Sequence, residues 1–339
     1  MKGTLPMEMH PGGSEPENII VTHDLTRHFG KLVAVDQLNL EVKRGDVFGF
    51  LGPNGSGKTT TIRMLLGLLR PTSGTVRLFG LDNATHLPEI LPRVGAIIEA
   101  PVSYRYLSGY DNLLAVAMNS GMRTGPKLKQ RINDVLNMVN LSQQARDHVS
   151  KYSLGMTQRL AIGMALLTDP ELLLFDEPTN GLDPMGVHEI RQLLLRLAAS
   201  GKTVILSSHI LYEVQQVCNR VAILQKGHLL KQGEVGELLR GSERLLIRMN
   251  SGEQATAAAM ILNQAQQNGA AWIARVLPLP GLFLRVEAPV ARSSEIVALL
   301  AQQNLYLAEI RPEQNSLEEV FMQLVAPTEQ KGNMAALIS

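Results

Sequence analysis

One stretch restricts this chain more than any other: Gly52-Pro53-Asn54-Gly55-Ser56-Gly57-Lys58-Thr59-Thr60. It fits G-x-x-x-x-G-K-[ST], and its flanks supply the context in which that pattern has a mechanism. Residues 46–51 (DVFGFL) are an apolar run that predicts a buried strand. Residues 59–69 (TTTIRMLLGLL) predict a helix stopped at Arg70-Pro71. Strand, glycine loop and helix in this order let successive backbone N–H groups turn towards one anion, at the positive end of the helix. In such a loop Lys58 reaches the β- and γ-phosphates and the Thr59 hydroxyl holds Mg2+. The stretch points to an α/β fold that binds a nucleoside triphosphate.

Three later segments carry compatible chemistry. Residues 171–175 (ELLLF) read as a fully apolar strand that delivers Asp176 and Glu177 at its carboxyl end. An aspartate there can hold a Mg2+ shell, and a second carboxylate beside it can orient or deprotonate water. Neighbouring side chains on a strand point opposite ways, so the pair needs a bend, which Pro178 is expected to help impose. Residues 203–207 (TVILS) predict another buried strand, and His209 follows it closely, at the end of a parallel sheet where ligands bind. Residues 151–158 (KYSLGMTQ) open an apolar helix over 159–167. Ser153 and Gly155 there form either a second anion site or an ordinary helix cap. Phe29, upstream of the phosphate loop, reads equally as a packed aromatic or as a ring that stacks on a base.

Composition narrows the partners. A net charge of +1 gives no global pull towards nucleic acid or acidic membranes. The single cysteine, Cys218, cannot form an internal disulfide and is expected to be a small core residue. No run of about 18 apolar residues predicts a membrane span. Residues 1–17 lack the apolar centre of a signal peptide and are expected to be a disordered lead-in. Residues 18–24 read as an edge strand, 27–30 as a turn, 33–42 and 75–79 as strands, and 93–99 as a strand ending in Glu99. Residues 101–110 hold Tyr104, Tyr106 and Tyr110 in a chain with few aromatics, a candidate contact surface or a packed loop. Residues 111–147 have helical periodicity, and 187–199 an amphipathic helix. From residue 241 the character changes. Strand (244–249), helix (255–267), strands (272–276, 282–286), helix (294–303), strand (306–310) and helix (317–324) suggest a split βαβ sandwich without a chemical motif. Its plainest reading is a dimerisation or regulatory appendage, followed by a loose tail over 327–339.

Taken in order, the phosphate loop, the run KYSLGMTQRLAIGMALLTDPELLLFDEPTNGLDP and then SSHIL resemble the ATP-binding subunit of an ABC transporter, over residues 19 to about 240. Within that family the chain is similar to the antibiotic- and lantibiotic-type (bacitracin-type) exporter ATPases, which share the SLGM signature and a carboxy-terminal extension. The resemblance implies a P-loop NTPase domain over 18–240 with a helical subdomain at about 100–168, and an α+β accessory domain over 241–326. It implies ATP and Mg2+ as cofactors, bound by Gly52, Pro53, Asn54, Gly55, Ser56, Gly57, Lys58, Thr59 and Thr60. By position Phe29 would stack on adenine where tyrosine is usual, Thr59 and Asp176 would hold Mg2+, Glu177 would be the catalytic base and His209 the switch histidine. Ser153, Gly155 and Asp183 would reach the nucleotide of a second subunit, identical or related. Glu99 stands where the family generally has a glutamine that senses Mg2+ and lytic water; it would be a metal ligand or protonated in part of the cycle. The implied partners are an integral membrane permease and that second ATPase subunit, not nucleic acid. The implied place is the cytoplasmic face of the membrane, the implied direction export. The competing class, a soluble ABC ATPase acting in translation or DNA repair, usually carries two cassettes or long coiled-coil insertions, and this chain carries one cassette and no heptad run.

Overall fold

The structure, a computed structural model, describes residues 17–99, 103–239, 243–313 and 316–325. The expected lead-in and tail lie outside them, apart from Glu17. The chain divides into two compact units at Gly233/Glu234, where the sequence reading puts a boundary near residue 240.

In chain order the first unit begins with β1 (Asn18–Phe29), β2 (Leu32–Lys43) and β3 (Val47–Leu51), which lead into α1 (Lys58–Leu65). Then come β4 (Ser73–Leu78), β5 (Leu81–Asp82), the short α2 (Leu87–Ile90) and β6 (Val94–Ile97). Three helices follow, α3 (Gly109–Asn119), α4 (Pro126–Met138) and α5 (Leu154–Leu166). The unit closes with β7 (Leu172–Asp176), α6 (Pro184–Ala199), β8 (Thr203–Ser208), α7 (Leu211–Val217), β9 (Arg220–Gln225) and β10 (His228–Glu234).

The strands form two sheets, one ordered β2–β1–β4–β5 and one ordered β10–β9–β3–β8–β7–β6. In the second, β3 runs parallel to β8 and β9, and β7 runs parallel to β6 and β8. Every residue of β3, β7 and β8 is buried. That is why these strands read as continuous apolar runs rather than alternating ones: both faces of a parallel sheet are covered. Register then does the positioning. Leu51 pairs with Ser208 and Asp176 with Ser207, so the phosphate loop, the Asp176-Glu177 pair and His209 leave the sheet along one edge.

One expectation fails. β1 is not an edge strand but lies between β2 and β4, and it continues through residues 27–29, expected as a turn. Register shifts along the β1–β2 ladder and a left-handed Asp24 (φ 46°) let the strand bend without ending. The chain turns only after Phe29, at Gly30.

An ionic cluster helps link the two sheets. The Arg93 guanidinium lies 3.8 Å from the Phe79 ring centroid and Arg44 lies 5.9 Å from it. Both arginines bond Glu171, Arg44 Nη1 at 2.8 Å and Arg93 Nη2 at 3.0 Å. Hydrogen bonds from Arg93 first, then from Arg44, hold the Glu171 carboxyl down at about 2, against the opposing effect of burial. Cys218 is buried, and burial pushes its thiol above its usual range.

The second unit holds α8 (Val235–Leu239), β11 (Arg244–Arg248), α9 (Gly252–Gln267), β12 (Arg275–Leu279), β13 (Phe283–Glu287), α10 (Ser293–Ala301), β14 (Glu309–Glu313) and a helix over 317–325. Its sheet, ordered β12–β13–β11–β14, is antiparallel throughout. Leu245, Ile247, Leu284 and Val286 form its core with Ala258, Leu262, Ile296 and Leu300 of α9 and α10. β12 and β14 lie three residues later than the sequence predicts, and each runs through a proline, Pro278 and Pro312. Both are edge strands, where a missing N–H breaks no ladder. The alternate positions, facing away from that core, carry arginine–glutamate pairs, among them Arg285–Glu313 and Arg248–Glu309.

Candidate functional site

The site starts where β3 ends. Gly52 and Gly57 take φ of 154° and 104°, and a side chain at either would collide with backbone: its Cβ would lie 2.2 Å from the Leu224 carbonyl at Gly52 and 2.6 Å from that of Ala34 at Gly57. Glycine is required at both places. Gly57 precedes α1 without any side-chain cap, so the first N–H groups of that helix stay available at its positive end. Lys58 is buried, and its Nζ donates to the carbonyls of Gly52 (2.7 Å) and Pro53 (3.3 Å).

The carboxylates are placed by hydrogen bonds that cross the sheet. Thr59 Oγ1 donates to Asp176 Oδ2 at 2.7 Å. Ser207 Oγ, fully buried on β8, donates to the other oxygen, Asp176 Oδ1, and accepts from the Glu177 N–H at 2.9 Å. The expected bend is made by Glu177 itself, in the left-handed region at φ 50°. Its neighbour Asp176 is buried, while the Glu177 carboxylate turns to the cleft. There Glu177 Oε2 lies 2.8 Å from His209 Nδ1, and Oε1 lies 3.4 Å from Lys58 Nζ. A carboxylate between a lysine and an imidazole is poised to act as a base beside a phosphate site. Beyond it, Thr179 Oγ1 donates to Glu213 Oε2 at 2.5 Å, tying the turn after Glu177 to α7, which follows His209.

These groups face a cleft of about 750 Å3. Phe29, Leu32, Val33 and Ala34 line one part of it; Asn54 to Thr60, Glu177, Asn180, His209 and Lys226 line the rest. Phe29 is about half exposed at the end of β1, with the Arg27 guanidinium 4.6 Å from its ring centroid. Sequence reasoning missed three polar members. Ser207 had no distinguishing signal, since β8 also carries the hydroxyls of Thr203 and Ser208. Asn180 and Lys226 sit in turns and had none.

The other expected residues lie elsewhere. Glu99, left-handed at φ 65°, does not line the cleft; its exposed carboxylate pairs with Arg63 of α1. Ser153 caps α5 by accepting from the Met156 N–H at 3.2 Å, and Asp183 caps α6 by accepting from the Gly186 N–H at 3.1 Å. These two caps are neighbours: a Cβ on Gly155 would lie 3.9 Å from Gly186 Cα, and one on Gly181 would lie 3.4 Å from Leu154 Cδ2. None of Ser153, Gly155 and Asp183 lines the cleft.

The ABC transporter family pattern matches residues 35–180, from β2 to just past Glu177. The bacitracin transport ATP-binding protein BcrA of Bacillus licheniformis is 38% identical over 314 residues, covering 91% of this chain and 97% of that protein. The chain belongs to the ATP-binding proteins of ABC transporters. This cassette thus binds nucleotide and hydrolyses ATP as a subunit of a transporter. It is also 42% identical over 223 residues to BcrA of Enterococcus faecalis, covering 66% of this chain and 71% of that one. Among solved structures it is similar to an ABC transporter ATP-binding cassette in its ADP conformation, with TM-score 0.60, 25% identity, and coverage of 66% of this chain and 94% of that one. Another is a dimeric cassette in a post-hydrolysis state with ADP and Pi, with TM-score 0.57, 26% identity, and coverage of 64% and 98%. Among the described residues no helix is long and apolar enough to cross a membrane.

Proposed function

We propose that the chain drives export of an antimicrobial peptide, antibiotic or lipid-like compound through a separate permease, at the cytoplasmic face of the membrane, and that it works as a head-to-tail pair of cassettes. The observation that carries the pairing is the separation of the two groups of site residues. The phosphate loop, Glu177 and His209 share one cleft, whereas Ser153, Gly155 and Asp183 lie together outside it. A second copy, or a related subunit, would bring its Ser153 and Gly155 over the triphosphate held by the first. The relatives named for bacitracin transport support the export reading, and the dimeric ADP-bound cassette supports the pairing.

In this reading Phe29 stacks on adenine, and the loop N–H groups with Lys58 hold the phosphates. Thr59 Oγ1 and Asp176 Oδ2, already 2.7 Å apart, are hard oxygen donors that suit Mg2+. Held by Thr59 and Asp176, Mg2+ would supply positive charge against the phosphates. Glu177 takes a proton from the attacking water, and His209 keeps its carboxylate aimed. Glu99 is the remaining candidate for sensing the metal, in competition with Arg63. The first unit is the nucleotide-binding domain, with a helical subdomain at about 100–168 whose tyrosine-containing loop after Glu99 meets the permease, and the second unit is an accessory domain.

Tagging the protein in its own cells, solubilising the membranes and identifying what co-purifies tests the transporter partner. A polytopic membrane protein is expected; recovery with ribosomes or DNA would overturn the reading. The pairing is tested by size exclusion of Glu177→Gln, which should dimerise with ATP and not with ADP. A variant that stays monomeric with ATP would sink it.

A further inference from the structure

The nucleotide cleft has a cation that the phosphate-loop pattern does not contain. Lys226 lines it from the turn between β9 and β10. The turn is held to both sides of the cleft. The Gly227 N–H donates to the Ser56 carbonyl at 3.1 Å, inside the phosphate loop, and the Gly227 carbonyl accepts from the Asp36 N–H at 2.9 Å, on β2. Gly227, at φ 85°, approaches so closely that an added Cβ would lie 3.1 Å from the Ala34 carbonyl. Lys226 itself is left-handed at φ 48°, a conformation that costs a non-glycine residue about 1 kcal/mol or more. The Lys226 backbone is therefore fixed relative to the loop and to the strand that follows Phe29.

Charge says what that position can serve. Lys58 is already bonded to two loop carbonyls and lies 3.4 Å from Glu177. The histidine in the cleft, His209, is also taken by Glu177. Lys226 has no hydrogen bond or ion pair among the described residues, and it is exposed. A nucleoside triphosphate brings about four negative charges; Mg2+ and one engaged lysine offset about three of them, so part of the charge stays unmatched. Along the cleft Glu177 and His209 mark the hydrolytic end and Phe29 the base end. The contacts of Gly227 with Ser56 and Ala34 hold the Lys226 turn against both the phosphate loop and the strand that follows Phe29.

We infer that Lys226 is a second phosphate-binding cation, serving the phosphates nearer the nucleoside and so binding the diphosphate as well as the triphosphate. The inference rests on the reading of this cleft as the nucleotide site. The test is isothermal titration of the full chain with ADP and Mg2+, at low and at moderate salt. Lys226→Gly removes the charge and accepts the left-handed backbone, so it isolates charge from strain; Lys226→Glu reverses the charge. Lys226→Gly should weaken ADP binding about fivefold, the order expected of one exposed charge contact, Lys226→Glu further still, and Lys226→Arg should restore it. The gap should narrow as salt is raised. ADP affinities of Lys226→Gly and Lys226→Glu within twofold of the parent, while Lys58→Ala loses binding, would overturn the role of Lys226 and leave the site standing. A parent chain that binds ADP no better than Lys58→Ala would overturn the site itself, and the inference with it.

Discussion

Ser207→Ala should separate the positioning of Glu177 from the rest of the site. The Ser207 hydroxyl is fully buried and has two partners: it donates to Asp176 Oδ1 and accepts from the Glu177 N–H. Alanine removes both bonds and fits the same space, so the loss is one of hydrogen bonding and not of packing. A buried N–H left without a partner costs about 1–3 kcal/mol. A left-handed non-glycine residue such as Glu177 stores strain of about the same size. The hydrogen bond that Ser207 accepts from the Glu177 N–H is therefore comparable in energy to the strain that would release Glu177 from its bend. Once released, Glu177 loses its alignment with His209 Nδ1 and Lys58 Nζ. At about 1.4 kcal/mol per factor of ten, kcat for ATP hydrolysis should fall roughly 10- to 100-fold. The melting temperature should fall by only about 2–4 °C for each kcal/mol lost in a unit of this size. Steady-state ATP hydrolysis at saturating ATP and a thermal melt give both numbers. A variant whose melting point drops while kcat stays within twofold would refute the reasoning, because Ser207 would then brace the sheet and not the base.

Glu171→Gln should lower the melting temperature at pH 7 by an amount worth less than about 1 kcal/mol, since solvent reaching the partly exposed side chain screens the pairing. The folded carboxyl titrates at about 2, so its contribution is present above the ordinary carboxylate range and lost as pH falls from about 4.5 towards 2; the variant should melt with a flatter pH profile there, and an unchanged profile would contradict the role of the arginine cluster. Phe29→Ala should weaken ATP binding while leaving inorganic triphosphate binding unchanged, and competition titrations with the two ligands check it. Glu99→Gln should shift the Mg2+ dependence of hydrolysis; identical Mg2+ and pH profiles would leave Glu99 as no more than the partner of Arg63.

What could be read from the sequence follows from the range of the forces involved. The phosphate loop was legible because close backbone approach at Gly52 and Gly57 admits only one residue type, and because buried parallel strands show as apolar runs. The same logic placed Asp176, Glu177 and His209 at strand ends. Strand limits were less legible. β1 outlasts its pattern through bulges paired to another strand, and β12 and β14 run through prolines that only an edge position tolerates. Ser207 and Lys226 lay beyond reach for a related reason. Ser207 acts on Asp176 through a bond spanning 31 residues of chain, and Lys226 gains its place from a turn tied to Ser56 and Asp36. No local pattern records either.

The residues missing from the cleft are as informative as those in it. Ser153 spends only an acceptor lone pair on its cap, through the Met156 N–H, and the hydroxyl proton stays free to donate. It stands at the positive end of α5, with Gly155 in the first turn, where a side chain would otherwise screen the backbone N–H groups. Such an end favours an anion, yet the described residues of one copy bring none to it. Asp183 is likewise held at the start of α6, its neighbours Gly181 and Gly186 close to Leu154 and Gly155, and a short stretch of chain joins it to Glu177. A shift of that stretch on pairing would act on Glu177 directly. The proposed pair of cassettes would thus complete two sites and link them through the same few residues, so that hydrolysis in one could be felt by the other.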